Sequence, residues 1–292
     1  MTRVVALTEA PSWFAYNTDL PQLPLREVTP EAVSRYQVAV LCPEKFSPKP
    51  IEIIGWKRAG LLPDTRLCFG SFKGLFYWSR EREQYVDQWM VHCRSEIERC
   101  QSTHMTFIPL SYPNVRGKGE GQYIFCGGRA QRDYMLAAQS VVNTGMKALF
   151  VCDVLPQIDF PNIECRYERV PGPEYCRMIA NAWCVLVPST PGLQSHGHSD
   201  VVRALVAGRP VIVTKGASCD DYITDGVNGY LVAYDVDEWT RAILRAWEQR
   251  KALTEGAIAS IPHYEVRRFN EAIHRMVEGI LAARQGRIRA SV

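Results

Sequence analysis

The second half of this 292-residue chain alternates short apolar runs with helical segments, and that alternation leaves few folds open. The runs at 123–126, 148–152, 163–167, 184–187, 210–213 and 230–232 are rich in Val, Leu and Ile, with little polar interruption. Such runs suit parallel strands covered on both faces, because a strand with one wet face would alternate polar and apolar residues. Segments 132–143, 174–181, 200–207, 220–224 and 237–249 read as the intervening helices. Right-handed crossovers then place helices on both faces of a doubly wound sheet.

The first 115 residues carry the same rhythm more faintly. Strands are expected at 4–7, 37–41, 66–69, 88–91 and 106–109, helices at 50–59 and 94–101, and loop over 8–26. Between the halves, residues 113–121 (PNVRGKGEG) hold three glycines and a proline, with one valine as the apolar residue. That composition reads as a linker between two domains, 1–115 and 122–270. Val266, Phe269, Ile273, Val277 and Leu281 recur every three or four residues, so 264–283 reads as a helix with one buried stripe. Residues 271–292 are expected to pack back on the first domain.

Composition supports a globular chain, with 47% hydrophobic and 22% charged residues. A net charge of +3 is too small to argue for nucleic acid as a partner. The basic clusters Lys45/Lys49, Lys57/Arg58, Arg116/Lys118, Arg267/Arg268 and Arg284/Arg287/Arg289 leave an anionic acceptor open. No run approaches the roughly 18 apolar residues of a membrane span, and the N-terminus has no signal-peptide pattern. The ten cysteines lack C-x-x-C spacing, and Cys42, Cys68, Cys126, Cys152 and Cys184 sit in strand-like runs. They read as buried thiols of a cytoplasmic protein, not as disulfide partners or zinc ligands.

Four segments of the second half carry chemistry. In 123–134, a strand opens into Gly127-Gly128 and then a helix expected to bear Arg129 and Arg132. Glycines admit a ligand to the backbone, a helix N-terminus favours phosphate, and arginine forks neutralise a diphosphate. Segment 169–175 (RVPGPEY) follows a strand, so Pro171 and Tyr175 are placed where a doubly wound sheet binds a nucleobase. In 188–210, a loop with His196 and His198 precedes a helix capped by Ser199 or Asp200, turning the backbone of Gly197, His198, Ser199 and Asp200 toward an anion. The two histidines lack metal-site spacing. In 215–231, Asp220 and Asp221 open a short helix, and the pairs Asp225-Gly226 and Asn228-Gly229 are turns before a strand.

In order along 123–232, these segments resemble the donor-binding half of GT-B glycosyltransferases, in the retaining, paired-glutamate branch (glycosyltransferase family 4, group 1). ALVAGRPVI at 204–212 and DYITDGVNGYLV at 221–232 match its motifs nearly residue for residue. The resemblance implies an α/β GT-B fold: two Rossmann-like, doubly wound parallel-sheet domains facing a cleft, with a C-terminal helix crossing back. It implies metal-independent transfer from a nucleoside-diphosphate sugar, foremost a UDP-sugar, with no cofactor. The donor would be held by Gly127, Gly128, Arg129, Arg132, Pro171, Tyr175, Gly197, His198, Ser199 and Asp200, with His198, Arg132 and Asp221 as catalytic residues. At the positions of the two glutamates stand Ser195 and Arg203, with Asp200 one helical turn earlier as a substitute for the ribose contact. T-E-A-P-S-W at 8–13 replaces the glycine-rich loop of many relatives. The acceptor stays open among small molecule, glycan and modified DNA base. A non-catalytic nucleotide-sugar binder on the same scaffold is the alternative outside enzymes.

Overall fold

The computed structural model describes residues 3–8, 14, 17–42, 48–70, 77–117, 119–190, 196–216 and 219–290, with side chains as far as 283. The expectations for Lys45, Lys118, Ser195 and residues 9–13, and for the side chains of Arg284, Arg287 and Arg289, lie outside the described residues. The chain divides into two compact units, Met1–Pro109 with Val266–Val292, and Leu110–Glu265.

The first unit is built on six parallel strands, β1 (Val4–Thr8), β2 (Gln22–Pro24), β3 (Val38–Leu41), β4 (Arg66–Gly70), β5 (Gln88–Val91) and β6 (Met105–Phe107), in the order β2-β1-β3-β4-β5-β6. All four residues of β3 are buried, as a strand covered on both faces requires. Helices α1 (Lys49–Arg58) and α2 (Arg94–Cys100) fall where the sequence places them. The expected loop over 8–26 is corrected in part: Gln22–Pro24 is an edge strand, pairing with β1 from Ala6↔Gln22 onward. Pro24 is tolerated because an edge strand can leave one position without a donor. Helix α8 (Val266–Ala290) buries Phe269, Ile273 and Val277 of the expected stripe, together with Met276. Its Asn270 donates to the Asn17 carbonyl at 2.9 Å and accepts from Asp19 N–H at 3.2 Å.

The second unit carries β7 (Tyr123–Gly127), β8 (Ala148–Val151), β9 (Ile163–Arg166), β10 (Ala182–Val187), β11 (Val211–Thr214) and β12 (Gly229–Val232). All are parallel, in the order β9-β8-β7-β10-β11-β12. The crossovers leave β7 and β10 in opposite directions, and ligands of doubly wound sheets bind at that switch point, off the strands' carboxyl ends. Around the sheet run α3 (Tyr134–Thr144), α4 (Gly172–Asn181), α5 (His198–Val206), α6 (Val236–Glu248) and α7 (Arg250–Ser260).

Three local expectations are corrected. Helix α3 does not bear Arg129 or Arg132. Gln131 has φ +48°, Arg132 bridges to Ser189, and the helix begins after Asp133, whose Oδ1 accepts from Leu136 N–H at 2.9 Å. Neither Ser199 nor Asp200 caps α5: Gly197, at φ +92°, ends the loop, and Asp200 lies buried inside the first turn. Residues 220–224 form only a single 3-10 turn, Asp220–Tyr222.

The glycine-rich stretch 113–121 lies within the second unit. A Cβ on Gly117 would fall 1.6 Å from the Ala180 carbonyl oxygen, and one on Gly121, at φ +86°, 2.3 Å from Trp183 N. Buried Arg209 joins the two segments by donating to the Ala180 and Gly119 carbonyls at 2.9 and 3.0 Å. These glycines serve close approach to the sheet rather than slack between domains.

Candidate functional site

A pocket of about 350 Å³ opens off the carboxyl ends of β7, β8 and β9, beside the first turns of α4 and α5. The strands end there with their carbonyls, and the two helices begin with their N–H groups directed outward. Seven of its sixteen lining residues are charged: Arg129, Arg132, Arg169 and Arg203 against Asp153, Glu168 and Asp200.

Asp200 is the hub. Its side chain is 8% exposed and meets three donors: Arg132 Nη2 at 2.8 Å, Tyr175 Oη at 3.1 Å and Arg203 Nη1 at 3.4 Å. Arg132, 3% exposed, is bonded on every nitrogen. Nε donates to the Gly127 carbonyl, Nη1 to the Ala130 carbonyl and Ser189 Oγ, each at 3.1 Å, and Nη2 to Asp200. Burial opposes its charge, but the adjacent Asp200 carboxylate raises its pKa above the ordinary arginine value. Burial, and then the same carboxylate, raise Tyr175 well above the tyrosine range, so its hydroxyl stays protonated as a donor. Tyr175 also sets its ring edge-on to Phe125, centroids 5.2 Å apart.

The Gly-Gly turn serves this cluster. A Cβ on Gly127 would lie 2.3 Å from Tyr175 Oη, and one on Gly128, at φ +101°, 2.6 Å from Asp200 Oδ2. Both glycines therefore admit the Tyr175–Asp200–Arg132 network to the end of β7. Only Gly128 also faces the pocket.

Of the residues singled out in sequence, Gly128, Arg129, Arg132, Tyr175, Gly197, Ser199 and Asp200 line this pocket. Gly127, Pro171, His198 and Asp221 do not. His198 is 6% exposed, its ring 5.4 Å from that of Tyr222. Pro171 precedes the first residue of α4, and Asp221 is exposed on the 3-10 turn. Arg129 is 57% exposed and pairs with Asp153 at 2.9 Å. Asp153, Glu168 and Arg203 join the pocket without belonging to the expected site residues. The spacing of Asp200 and Arg203 is the available signal, since residues three apart share a helix face.

All ten cysteines are free, and Cys42, Cys68, Cys126, Cys152 and Cys184 are buried. Among the described residues, no helix is long and apolar enough to cross a membrane.

Residues 162–249 match the family model described as Glycosyl transferases group 1. No curated protein matches the chain in sequence. Among solved structures, HepE of Anabaena in complex with UDP superposes with a TM-score of 0.71 at 11% identity, covering 96% of this chain and 100% of that one. A glycosyltransferase of Rickettsia africae gives 0.70 at 8% identity, over 96% and 90% of the two chains. Sucrose-phosphate synthase of Thermosynechococcus elongatus gives 0.64 at 12% identity, over 91% and 82%. The fold is that of the GT-B glycosyltransferases, as the sequence resemblance implies.

Proposed function

We propose that this chain transfers a sugar from a nucleoside-diphosphate sugar, with the donor seated in the pocket off β7, β8 and β9. The observation that carries the reading is the pocket's place and charge. It lies at the carboxyl edge of a doubly wound sheet, beside two helix N-termini, and holds four arginines against three carboxylates. HepE, which has the same fold, has been solved with UDP and with UDP-glucose, so a UDP-sugar is the donor we favour.

In this reading Gly128, Gly197 and Ser199 face the diphosphate, and the four arginines supply the positive charge around it. Pro171 belongs to the base-side loop and Tyr175 to the first turn of the helix that follows it, and Gly127, His198 and Asp221 support the site from outside its lining. Transfer breaks the bond between the anomeric carbon and the diphosphate oxygen. The diphosphate leaves with the electron pair, and the acceptor hydroxyl adds to the anomeric carbon and gives up its proton. Preorganised positive charge lowers the barrier to that departure, so the reading needs no metal. The retaining outcome rests on the motif resemblance at 204–212 and 221–232. The buried thiols support a reducing, cytoplasmic setting.

A second reading has an observation in its favour. Each carboxylate lining the pocket is ion-paired: Asp153 with Arg129, Glu168 with Arg166, and Asp200 with Arg132 and Arg203. A binder that holds nucleotide sugars without turning them over would need nothing more.

A thermal-shift screen against nucleotide sugars tests the shared part, since a ligand at one hundred times its Kd stabilises by about 2.7 kcal/mol. No rise in Tm with any nucleoside diphosphate or nucleotide sugar would sink both readings. A rise with UDP-glucose, without sugar release over a wide acceptor panel, would select the binder.

A further inference from the structure

We infer that Arg203 is the phosphate-binding cation of this pocket, and that Arg132 is a buried brace. This deepens the proposed donor site and rests on it. Of the four arginines that line the pocket Arg169 is exposed, and the other three differ in what their nitrogens already do. Arg132 is 3% exposed, with every nitrogen bonded to protein. Arg129 is 57% exposed and neutralised by Asp153 at 2.9 Å. Arg203 alone combines orientation with unused capacity. Its guanidinium lies 4.4 Å from the Tyr112 ring centre and 5.5 Å from that of Tyr175, so two cation–π contacts hold it in place. The contact of Nη1 with Asp200 is long, at 3.4 Å, which leaves the terminal nitrogens room for a further acceptor, while Nε is buried out of a ligand's reach.

The charge count points the same way. Asp200 is shared between two guanidiniums, so the buried cluster carries one positive charge in excess. The compact bond to Arg132, at 2.8 Å, uses most of the carboxylate and leaves the excess on Arg203, whose side chain is 23% exposed at the pocket. A planar fork, held by two rings and short of acceptors, fits two phosphate oxygens side by side. Its orientation is set before the ligand arrives, so little side-chain entropy is lost on binding.

The test is calorimetric titration of the full chain and its variants with inorganic pyrophosphate and with UDP, repeated across salt concentrations. Arg203→Met is expected to weaken both ligands about tenfold or more, as loss of charge-assisted hydrogen bonds implies. It should also flatten the salt dependence of binding. Arg203→Lys, which keeps the charge but not the fork, should weaken both by a smaller factor and keep the salt dependence, and it serves if the methionine variant does not fold. Arg203→Met binding pyrophosphate within twofold of the parent would overturn the inference, as would a parent chain that does not bind pyrophosphate. A parent chain that binds pyrophosphate through Arg203 but no nucleoside diphosphate would instead overturn the donor reading and leave this one standing.

Discussion

Replacing Asp200 by asparagine keeps the shape of the side chain and removes its charge. Two guanidiniums, 3% and 23% exposed, would then sit beside each other around an amide. At about 4 Å and an effective dielectric constant near 20, a single charge pair is worth about 4 kcal/mol. Removing one partner of a buried pair typically costs about 3–5 kcal/mol, because the remaining charge stays desolvated. The amide oxygen still accepts one of the three hydrogen bonds, which places Asp200→Asn near the lower end, at about 3 kcal/mol. The loss should fall on the second unit, where all these residues lie. Native-state hydrogen exchange reads it directly: amides of β7 and β10 should lose protection by roughly 100-fold, since each 1.4 kcal/mol is a factor of ten. Amides of β3 and β4 should be unchanged. Adding Arg132→Met should recover part of the loss, because an apolar replacement removes the stranded charge. A loss below about 1 kcal/mol, or no recovery in the double variant, would refute the coupling argued for this cluster.

Gly128→Ala should be strained twice over, by its φ of +101° and by a Cβ 2.6 Å from Asp200 Oδ2. A fall of about 1–3 kcal/mol in urea unfolding is expected, and a neutral result would mean the turn relaxes freely. Tyr175→Phe removes a buried donor to a carboxylate and should cost about 1.5–3 kcal/mol in the same assay. In the first unit, burial holds His92 at a pKa of about 4 against an ordinary 6.5. The unfolded chain therefore takes up this proton at a higher pH than the folded one. The stability at stake is complete above about pH 6.5 and is lost as pH falls toward 4, by about 3 kcal/mol in all. Urea unfolding at pH 7 and pH 4.5 should show the fall in the parent and a reduced fall in His92→Asn; equal falls would assign it to other groups.

The strands were readable because parallel strands buried on both faces leave long apolar runs, and β5 falls at the residues expected, Gln88–Val91. Three-residue β2 escaped notice, since an edge strand carrying a proline looks like loop. At the site, the sequence drew attention to the Gly127-Gly128 turn, to Tyr175 and to Asp200, and the structure brings all four into one network. It could not show what they do there. A glycine that admits a ligand and one that admits a neighbouring side chain have the same local signature. Likewise, which arginine faces a pocket and which braces it depends on carbonyls and hydroxyls brought in from β7, residue 130 and Ser189, far from any pattern of spacing.

The discontinuous first unit has a consequence for synthesis. The six strands of the second sheet lie within 110–265, so that unit has its full complement before residue 266 leaves the ribosome. The first unit is begun earlier yet finished later. Phe269, Ile273 and Val277, which are buried in the finished chain, and Asn270, which ties down the backbone of Asn17 and Asp19, are made after everything else they hold together. Until then the apolar surface they cover stays open, and a nascent chain stalled before residue 266 would present a finished second unit beside a first one with its seam undone.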